Sequence, residues 1–385
     1  MKNVEIDENI YKKYSPKCVK NIGNISTKHN KKINKIKSLE MFDNNKTFRD
    51  DIERECKNYG EFTALKTIID RVDRIIAIGD VHSDLNLVKK ILQMSKVIDE
   101  NDMWCGKNTY VVQVGDQIDS YRPSKKKIKN DEVPNDINVL IFFSNLHKQA
   151  YREGGAVISL LGNHELMNVL GDMRYVSHNN LSSFDKNNNL NNGTNERIKL
   201  FSVGNKYAKY MACTRFSAII INDILFAHAG ILPEFAKRLN MKSREDLEIF
   251  NNIIKMWLLG KVDTKEIKYM INNKKSPFWD RTYGIIKPNS NPNECLQYFD
   301  PMTTQYLKIG YMIIGHSPQS IIHNTSINST CNGKLWRVDS GSSYSFDNII
   351  DYEHRYPQAL EIITNSKGIK TFTIIKDESK TCFKV

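Results

Sequence analysis

Ala156-Val157-Ile158-Ser159-Leu160-Leu161-Gly162-Asn163-His164-Glu165 is an apolar run closed by a glycine and then by three polar side chains. An aliphatic, partly β-branched run of this length reads as a buried strand. Glycine at its end lets the backbone turn tightly. An amide oxygen and an imidazole are ligand types that divalent cations accept. The arrangement recurs along the chain. Residues 74–78 run into Gly79-Asp80-Val81-His82, and residues 110–114 into Gly115-Asp116-Gln117-Ile118-Asp119. Residues 224–226 run into Ala227-His228-Ala229, and residues 311–314 into Gly315-His316-Ser317. Each segment alone is a weak signal. Five in this order mark a site for two divalent cations acting on a phosphoester.

Helical spacing separates the strands. Residues 84–94 carry Leu85, Val88, Ile91 and Leu92 on one face, with Ser83 or Asp84 placed to cap. Residues 136–153 repeat the pattern with Ile137, Leu140, Ile141 and Leu146. Strands alternating with helices, with polar residues at strand ends, predict an α/β fold that binds its ligand where the strands finish. The second half is richer in β structure. Residues 216–221 and 224–226 flank Asn222-Asp223, a hairpin signal, and residues 359–364 and 371–375 flank Ser366-Lys367-Gly368. The expectation is two packed sheets flanked by helices, a four-layer α/β/β/α sandwich.

The 385 residues leave room for one large catalytic domain plus additional segments. No run approaches the roughly 18 apolar residues of a membrane span, and Met1 to Tyr11 lack an apolar signal core. These features predict a soluble, cytoplasmic protein with no membrane contact. Seven cysteines are scattered without a C-x-x-C pair, so neither a disulfide framework nor a thiolate zinc site is expected, and a reducing compartment fits. The formal net charge is +12, and residues 1–40 hold ten Lys against four Asp or Glu. Such a basic, Asn-rich segment can touch nucleic acid, but no aromatic stacking pattern accompanies it. The favoured reading is a solvated extension over residues 1–60, with a helix near 46–58, ahead of a catalytic domain over residues 61–385. Two polar loops directly follow site motifs: residues 121–136, with Lys125-Lys126-Lys127, and residues 177–194, rich in Asn, Ser and Asp. The second reads as a mobile, low-complexity insertion.

The five segments resemble the signatures GDxHG, GDxxDRG and GNHE and the two later histidines of the PPP family of protein phosphatases, within the metallophosphoesterase superfamily. The likeness runs over about residues 74–345. The stretch from Gly162 to Val176 and Ser276-Pro277-Phe278-Trp279-Asp280-Arg281 resemble the bacterial-type, Shewanella-like branch. The resemblance implies the calcineurin-like form of the four-layer sandwich and two divalent ions. Mn(II) is the expected metal, with iron and zinc as the alternative. By the same resemblance Asp80 and His82 serve one ion, Asn163, His228 and His316 the other, and Asp116 bridges them. A metal-bridging hydroxide would then attack phosphorus in line. His164 is implied as the general acid that protonates the leaving oxygen, with Asp119 accepting the hydrogen bond that fixes its tautomer. Arg281 matches a later phosphate-binding arginine, whose planar guanidinium suits phosphate oxygens. Two departures stand out. Ser83 replaces a family glycine, and Ser120 replaces the arginine that binds phosphate, leaving Arg122 to take over. Glu165 and Arg174 read as scaffold braces, and Tyr344 as a loop residue overlying the site.

The leading functional expectation is a phosphomonoesterase acting on phosphoserine, phosphothreonine or phosphotyrosine of a phosphoprotein or phosphopeptide. Nucleases and phosphodiesterases of the superfamily usually carry Gly-His-x-His, and here Pro318 takes the place of the second histidine. A dinucleoside polyphosphate hydrolase and a non-catalytic scaffold that binds a partner through the basic extension are the alternatives.

Overall fold

The computed structural model describes residues 45–123, 133–347 and 355–377. Among the described residues the strands are β1 (Ile68–Ile69), β2 (Arg74–Ile78), β3 (Tyr110–Gln113), β4 (Ala156–Leu160), β5 (Arg215–Phe216) and β6 (Ala218–Ile221). They continue with β7 (Ile224–Ala227), β8 (Tyr311–Ile314), β9 (Asn328–Thr330), β10 (Leu335–Arg337), β11 (Gln358–Thr364) and β12 (Lys370–Lys376). One sheet runs β12-β11-β2-β3-β4-β5 and the other β1-β6-β7-β8-β10-β9. Strands β2 to β5 are parallel, as are β7, β8 and β10. Each sheet therefore gathers several carboxyl ends at one edge.

The layering follows from the two-residue period of a strand. On β2, Ile75 and Ala77 join a core shared with Phe226 and Ile313 of the other sheet. Their neighbours Ile76 and Ile78 pack outward against Val88, Ile91 and Phe143 of the helices Leu85–Met94 and Asp136–Arg152. On β7, Phe226 faces inward while Leu225 and Ala227 pack with Phe250 and Trp257 of the helix Leu247–Leu258. Strands covered on both faces read as continuous apolar runs. The expected α/β/β/α sandwich is the observed one.

Local details differ from the sequence reading in four places. The single strand expected over residues 216–221 is two, with Phe216 in one sheet and Ala218 onward in the other. Asn251 occupies the crossover, its Oδ1 accepting from the amides of Ser217 (2.7 Å) and Ala218 (3.2 Å), so the chain changes sheets without stranding those donors. The absence of disulfides is also corrected. Cys56 bonds Cys213 and Cys295 bonds Cys331, across 157 and 36 residues, with Cα atoms 5.3 and 5.5 Å apart. Tertiary topology alone makes these neighbours, so spacing carried no trace of them. Cys105 is free and exposed, and Cys18 and Cys382 lie outside the described residues. The polar stretch expected as a mobile insertion forms the helices His178–Ser182 and Leu190–Phe201, capped by Ser177 and Asn189. The helix expected near 46–58 is Asn45–Glu55, and its Ile52 enters the core. The basic segment 1–40 and Lys125 to Lys127 lie outside the described residues. No helix among the described residues is long and apolar enough to cross a membrane.

Candidate active site

The carboxyl ends of β2, β3, β4, β7, β8 and β10 meet along one rim, and close approach of their loops is what glycine permits. A Cβ on Gly79 would collide with the carbonyl oxygen of Val338 and the Cα of Asp339. Gly115 holds a φ of +102° only 2.7 Å from the Gly162 amide, measured from where a Cβ would stand. Five non-glycine residues share the left-handed region: His82 (+41°), Ser83 (+69°), Asp116 (+53°), Asp119 (+71°) and His316 (+64°). Such backbone costs energy and persists where the surroundings enforce it. Ser83 thus holds a backbone conformation that glycine adopts without strain. Glu165 does much of the enforcing. Buried completely, it accepts from the amides of Gly162 (2.7 Å), Asp116 (3.0 Å), Gln117 (2.8 Å) and Ile118 (3.4 Å).

Asp116 stands at the centre. Its carboxylate falls within 4.8 Å of ligand nitrogens of His82 and His164 on one side, and of His228 and His316 on the other. His228 Nδ1 lies 2.9 Å from the Val114 carbonyl oxygen, which orients the ring so that Nε2 stands 3.0 Å from Asn163 Oδ1 and 3.4 Å from Asp116 Oδ2. A backbone partner on one imidazole nitrogen is the usual way to aim the other at a metal. His316 Nε2 is buried and has no hydrogen-bond partner, an open donor position of the kind a cation fills. Burial pushes the His82 and His316 imidazoles well below their usual range, favouring the neutral form that binds metals. Burial alone would raise Asp116, but His228 and His164 beside it hold the carboxyl well below the carboxylate range. Asp80 belongs to neither grouping. Its carboxylate accepts from the His316 amide at 3.0 Å and faces Asp339. Burial, then the charges of Asp339 and Asp116, push it well above the usual value. Clustered buried carboxylates, imidazoles and an amide oxygen, with no thiolate, form a donor set that suits divalent cations.

His164 follows Asn163 on the short helix Asn163–Val169, and its ring groups with His82 and Asp116. Nδ1 lies 2.9 Å from Asp119 Oδ2, so an ionised Asp119 accepts and Nε2 faces the site, 3.9 Å from Asp116 Oδ2. The ring is packed edge-on between His82 (4.9 Å) and Tyr175 (5.0 Å). Asp119 Oδ1 accepts from Asn168 Nδ2 at 2.8 Å.

The two arginines expected near phosphate flank this centre. Arg122 is buried, its Nη1 donating to the carbonyls of Asp119 (3.0 Å) and Tyr121 (2.9 Å). Its guanidinium lies 4.8 Å from the Phe346 ring centre and 5.7 Å from that of Tyr175. Arg281 is half-buried and donates from Nη1 to the His316 carbonyl at 2.8 Å. Tyr344 lies beside the first loop, its amide donating to Asp84 and its hydroxyl to the Ser83 carbonyl. Arg174, exposed and paired with Asp172 at 2.6 Å, lies away from the cations' donor set.

Several residues at the site carried no assignment from the sequence. Asp339, at the end of β10, is buried beside Asp80, and burial raises its carboxyl to about 6. A partial signal was available, because residues 335–338, apolar apart from Arg337, end in an acid as the other site strands do. Asn168, Asp136 and Arg197 gather behind Asp119. No local pattern announced that grouping, since Arg197 lies just past the Asn-rich stretch and far from Asp119 in sequence.

Residues 73–320 match the calcineurin-like phosphoesterase family. The chain is 30% identical to Shewanella-like protein phosphatase 1 of Plasmodium berghei over 80% of its own length and 76% of the relative's. It is 26% identical to Shewanella-like protein phosphatase 2 of Arabidopsis thaliana over 80% of each. An uncharacterized protein, R398, of Acanthamoeba polyphaga mimivirus is 39% identical over 62% of this chain and the whole of the relative. Among solved structures, a cold-active protein tyrosine phosphatase shares the fold, with a TM-score of 0.58, 21% identity and 80% of each chain covered.

Proposed function

The chain belongs to the calcineurin-like phosphoesterase family, in the Shewanella-like branch of the PPP phosphatases, and from that premise we propose that it removes phosphate from phosphoserine, phosphothreonine or phosphotyrosine of proteins using two divalent metal ions. The observation that carries the reading is one carboxylate, Asp116, shared between two clusters of imidazoles, with the His164–Asp119 pair beside it. Asp80, His82 and Asp116 would hold one ion, and Asp116, Asn163, His228 and His316 the other. When bound, such ions acidify water to near neutral pKa and draw charge off the phosphoryl oxygens. Mn(II) suits this mixed oxygen and nitrogen set, with iron and zinc as the alternative.

The chain's own residues then have separate tasks. Arg281 and Arg122 donate to phosphate oxygens and fix the phosphorus with the leaving oxygen toward His164. Water gives up one proton to solvent as it attacks phosphorus opposite the leaving oxygen; the new P–O bond forms as the old one breaks, and His164 later recovers from solvent the proton it donates. The departing oxygen's electron pair takes the proton from His164 Nε2, so no alkoxide is released. Asp119 holds Nδ1–H and stabilises the imidazolium before the transfer. Losing one arginine clamp would remove about 2–4 kcal/mol of transition-state stabilisation.

The test is hydrolysis by Mn(II)-reconstituted protein of p-nitrophenyl phosphate and of a phosphopeptide panel, with His164→Ala and Asp116→Asn as controls. Activity lost in both variants supports the assignment. Near-wild-type turnover by His164→Ala would refute the acid, and cleavage of a dinucleoside polyphosphate with none of phosphopeptides would refute the protein substrate.

A further inference from the structure

We propose that Arg197 and Asp136 are positioning residues for the acid, supplied to the site by the helix Leu190–Phe201 and by the helix Asp136–Arg152. The proposal rests on the reading of His164 as the proton donor.

The geometry behind Asp119 is a chain of buried polar contacts. Arg197 is completely buried on the helix Leu190–Phe201. Its Nη2 lies 2.7 Å from Asp136 Oδ2 and 3.5 Å from Asp119 Oδ1. Its Nε donates to Asn168 Oδ1 at 2.9 Å, and Asn168 Nδ2 in turn donates to Asp119 Oδ1 at 2.8 Å and to the His164 carbonyl at 3.0 Å. Asp136 Oδ1 accepts from the Asp119 amide at 3.0 Å. Asp119 is thus held by its backbone and by Oδ1, which leaves Oδ2 for His164 Nδ1 at 2.9 Å.

The set continues outward into the insertion. The Asp136 amide donates to Asn180 Oδ1 at 3.1 Å, on the helix His178–Ser182. Phe184 and Phe201 lie 5.2 and 4.8 Å from the Arg197 guanidinium and limit where it can move.

Electrostatics gives the arrangement a purpose. Asp119 and Asp136 are two fully buried acids in contact through one amide, and their charges repel. Arg197 places a guanidinium against both. Without it, Asp119 Oδ1 keeps one side-chain donor, Asn168, and faces an uncompensated carboxylate, so the carboxyl has cause to rotate. Rotation removes the acceptor that orients His164. A purely structural ion pair would instead contribute only to stability.

Leaving-group chemistry separates the two roles, because an acid matters only where the leaving oxygen needs a proton. Metal-reconstituted full-length wild type, Arg197→Met, Arg197→Lys, His164→Ala and the Arg197→Met/His164→Ala double variant are assayed on an alkyl phosphate monoester, phosphoserine peptide and 2,4-dinitrophenyl phosphate. We expect Arg197→Met to lower kcat roughly 10–100-fold on the first two, with KM little changed, and less than about 3-fold on the dinitrophenyl ester. Arg197→Lys should recover part of the loss, and Arg197→Met should add nothing in the His164→Ala background. Equal losses on every leaving group, or full additivity with His164→Ala, would overturn the positioning role while leaving the acid in place. A His164→Ala enzyme that shows no leaving-group dependence would overturn the acid reading itself. If Arg197→Met does not fold, Arg197→Lys and Asp136→Asn carry the same comparison.

Discussion

At the ends of β2, β3 and β8 the backbone itself is unusual, and five non-glycine residues there hold φ between +41° and +71°. The wall behind His164, built from residues 177–201, is made of ordinary capped helices and reaches the site through the tips of a few side chains. The rim stores strain, of order 1–3 kcal/mol for each such residue, and offsets it with Glu165 and close-packed glycines. The wall has one such residue, Asn188 (+54°), in a turn between its helices, and depends on long-range polar contacts. A rim needs particular residues at fixed local spacing, whereas a wall needs only that the right side chain arrive from somewhere.

The largest effect expected from this contrast separates donor set from orienting carboxylate. Asp116→Asn should lower turnover on p-nitrophenyl phosphate by roughly three orders of magnitude or more, because it touches both imidazole clusters. Elemental analysis should show metal content falling with it. Asp119→Asn should also cut turnover, most on poor leaving groups, yet leave metal content near wild type. If Asp119→Asn loses metal as Asp116→Asn does, the division between rim and wall fails.

Next in size is the brace of the rim. Glu165→Ala leaves four amides of the strained loops without their shared acceptor. Urea unfolding should report a loss of about 3–5 kcal/mol, as for a buried charged group whose partners are left unpaired. Glu165→Gln keeps one oxygen acceptor and should lose less. A cost under about 1 kcal/mol for the alanine would mean that the positive φ values are held by something else.

These two experiments bear on why parts of the molecule were readable. Asp80, Asp116, Asn163, His228 and His316 each sit within two residues of an apolar run, so a local rule about strand ends finds them. The layered fold was legible for the same reason, since β2, β3, β4 and β8 are continuous runs of aliphatic residues. Asp339 obeys the rule only in part, because Arg337 interrupts the apolar run before it. Arg197 lies 78 positions from Asp119, just past a stretch whose Asn and Ser content reads as loop. Asparagine also caps helices, as Asn189 does here by accepting from the Asn192 amide, and composition hides that second use. The disulfides were illegible on similar grounds, because Cys56 meets Cys213 only after the helices Asn45–Glu55 and Lys206–Thr214 have packed.

The bridges offer a third test, of intermediate size. Each closes a loop of the unfolded chain, and removing one should cost about 2–4 kcal/mol, with Cys56–Cys213 at the upper end because its loop is longer. Denaturant midpoints of Cys56→Ser and Cys295→Ser would measure it. Neither bridge involves a residue of the donor set, so kcat below the new midpoint should stay near wild type. A variant that keeps its stability but loses activity would show that the bridges act on the site, against the view of a rim that is locally determined.

The smallest expected effect probes the wall at its farthest point. Asn189→Ala removes the side-chain cap of the helix Leu190–Phe201, for which about 1 kcal/mol is the usual cost. Arg197 sits two turns along that helix, already fixed by Asp136, Asn168 and two aromatic rings. Fraying at the first turn should therefore lower the unfolding midpoint slightly and leave kcat on a phosphoserine peptide within about 2-fold, since the polar contacts behind Asp119 outlast the loss of one cap. A kcat that falls in proportion to the lost stability would mean that the helix as a whole, rather than the contacts of Arg197, sets the position of Asp119.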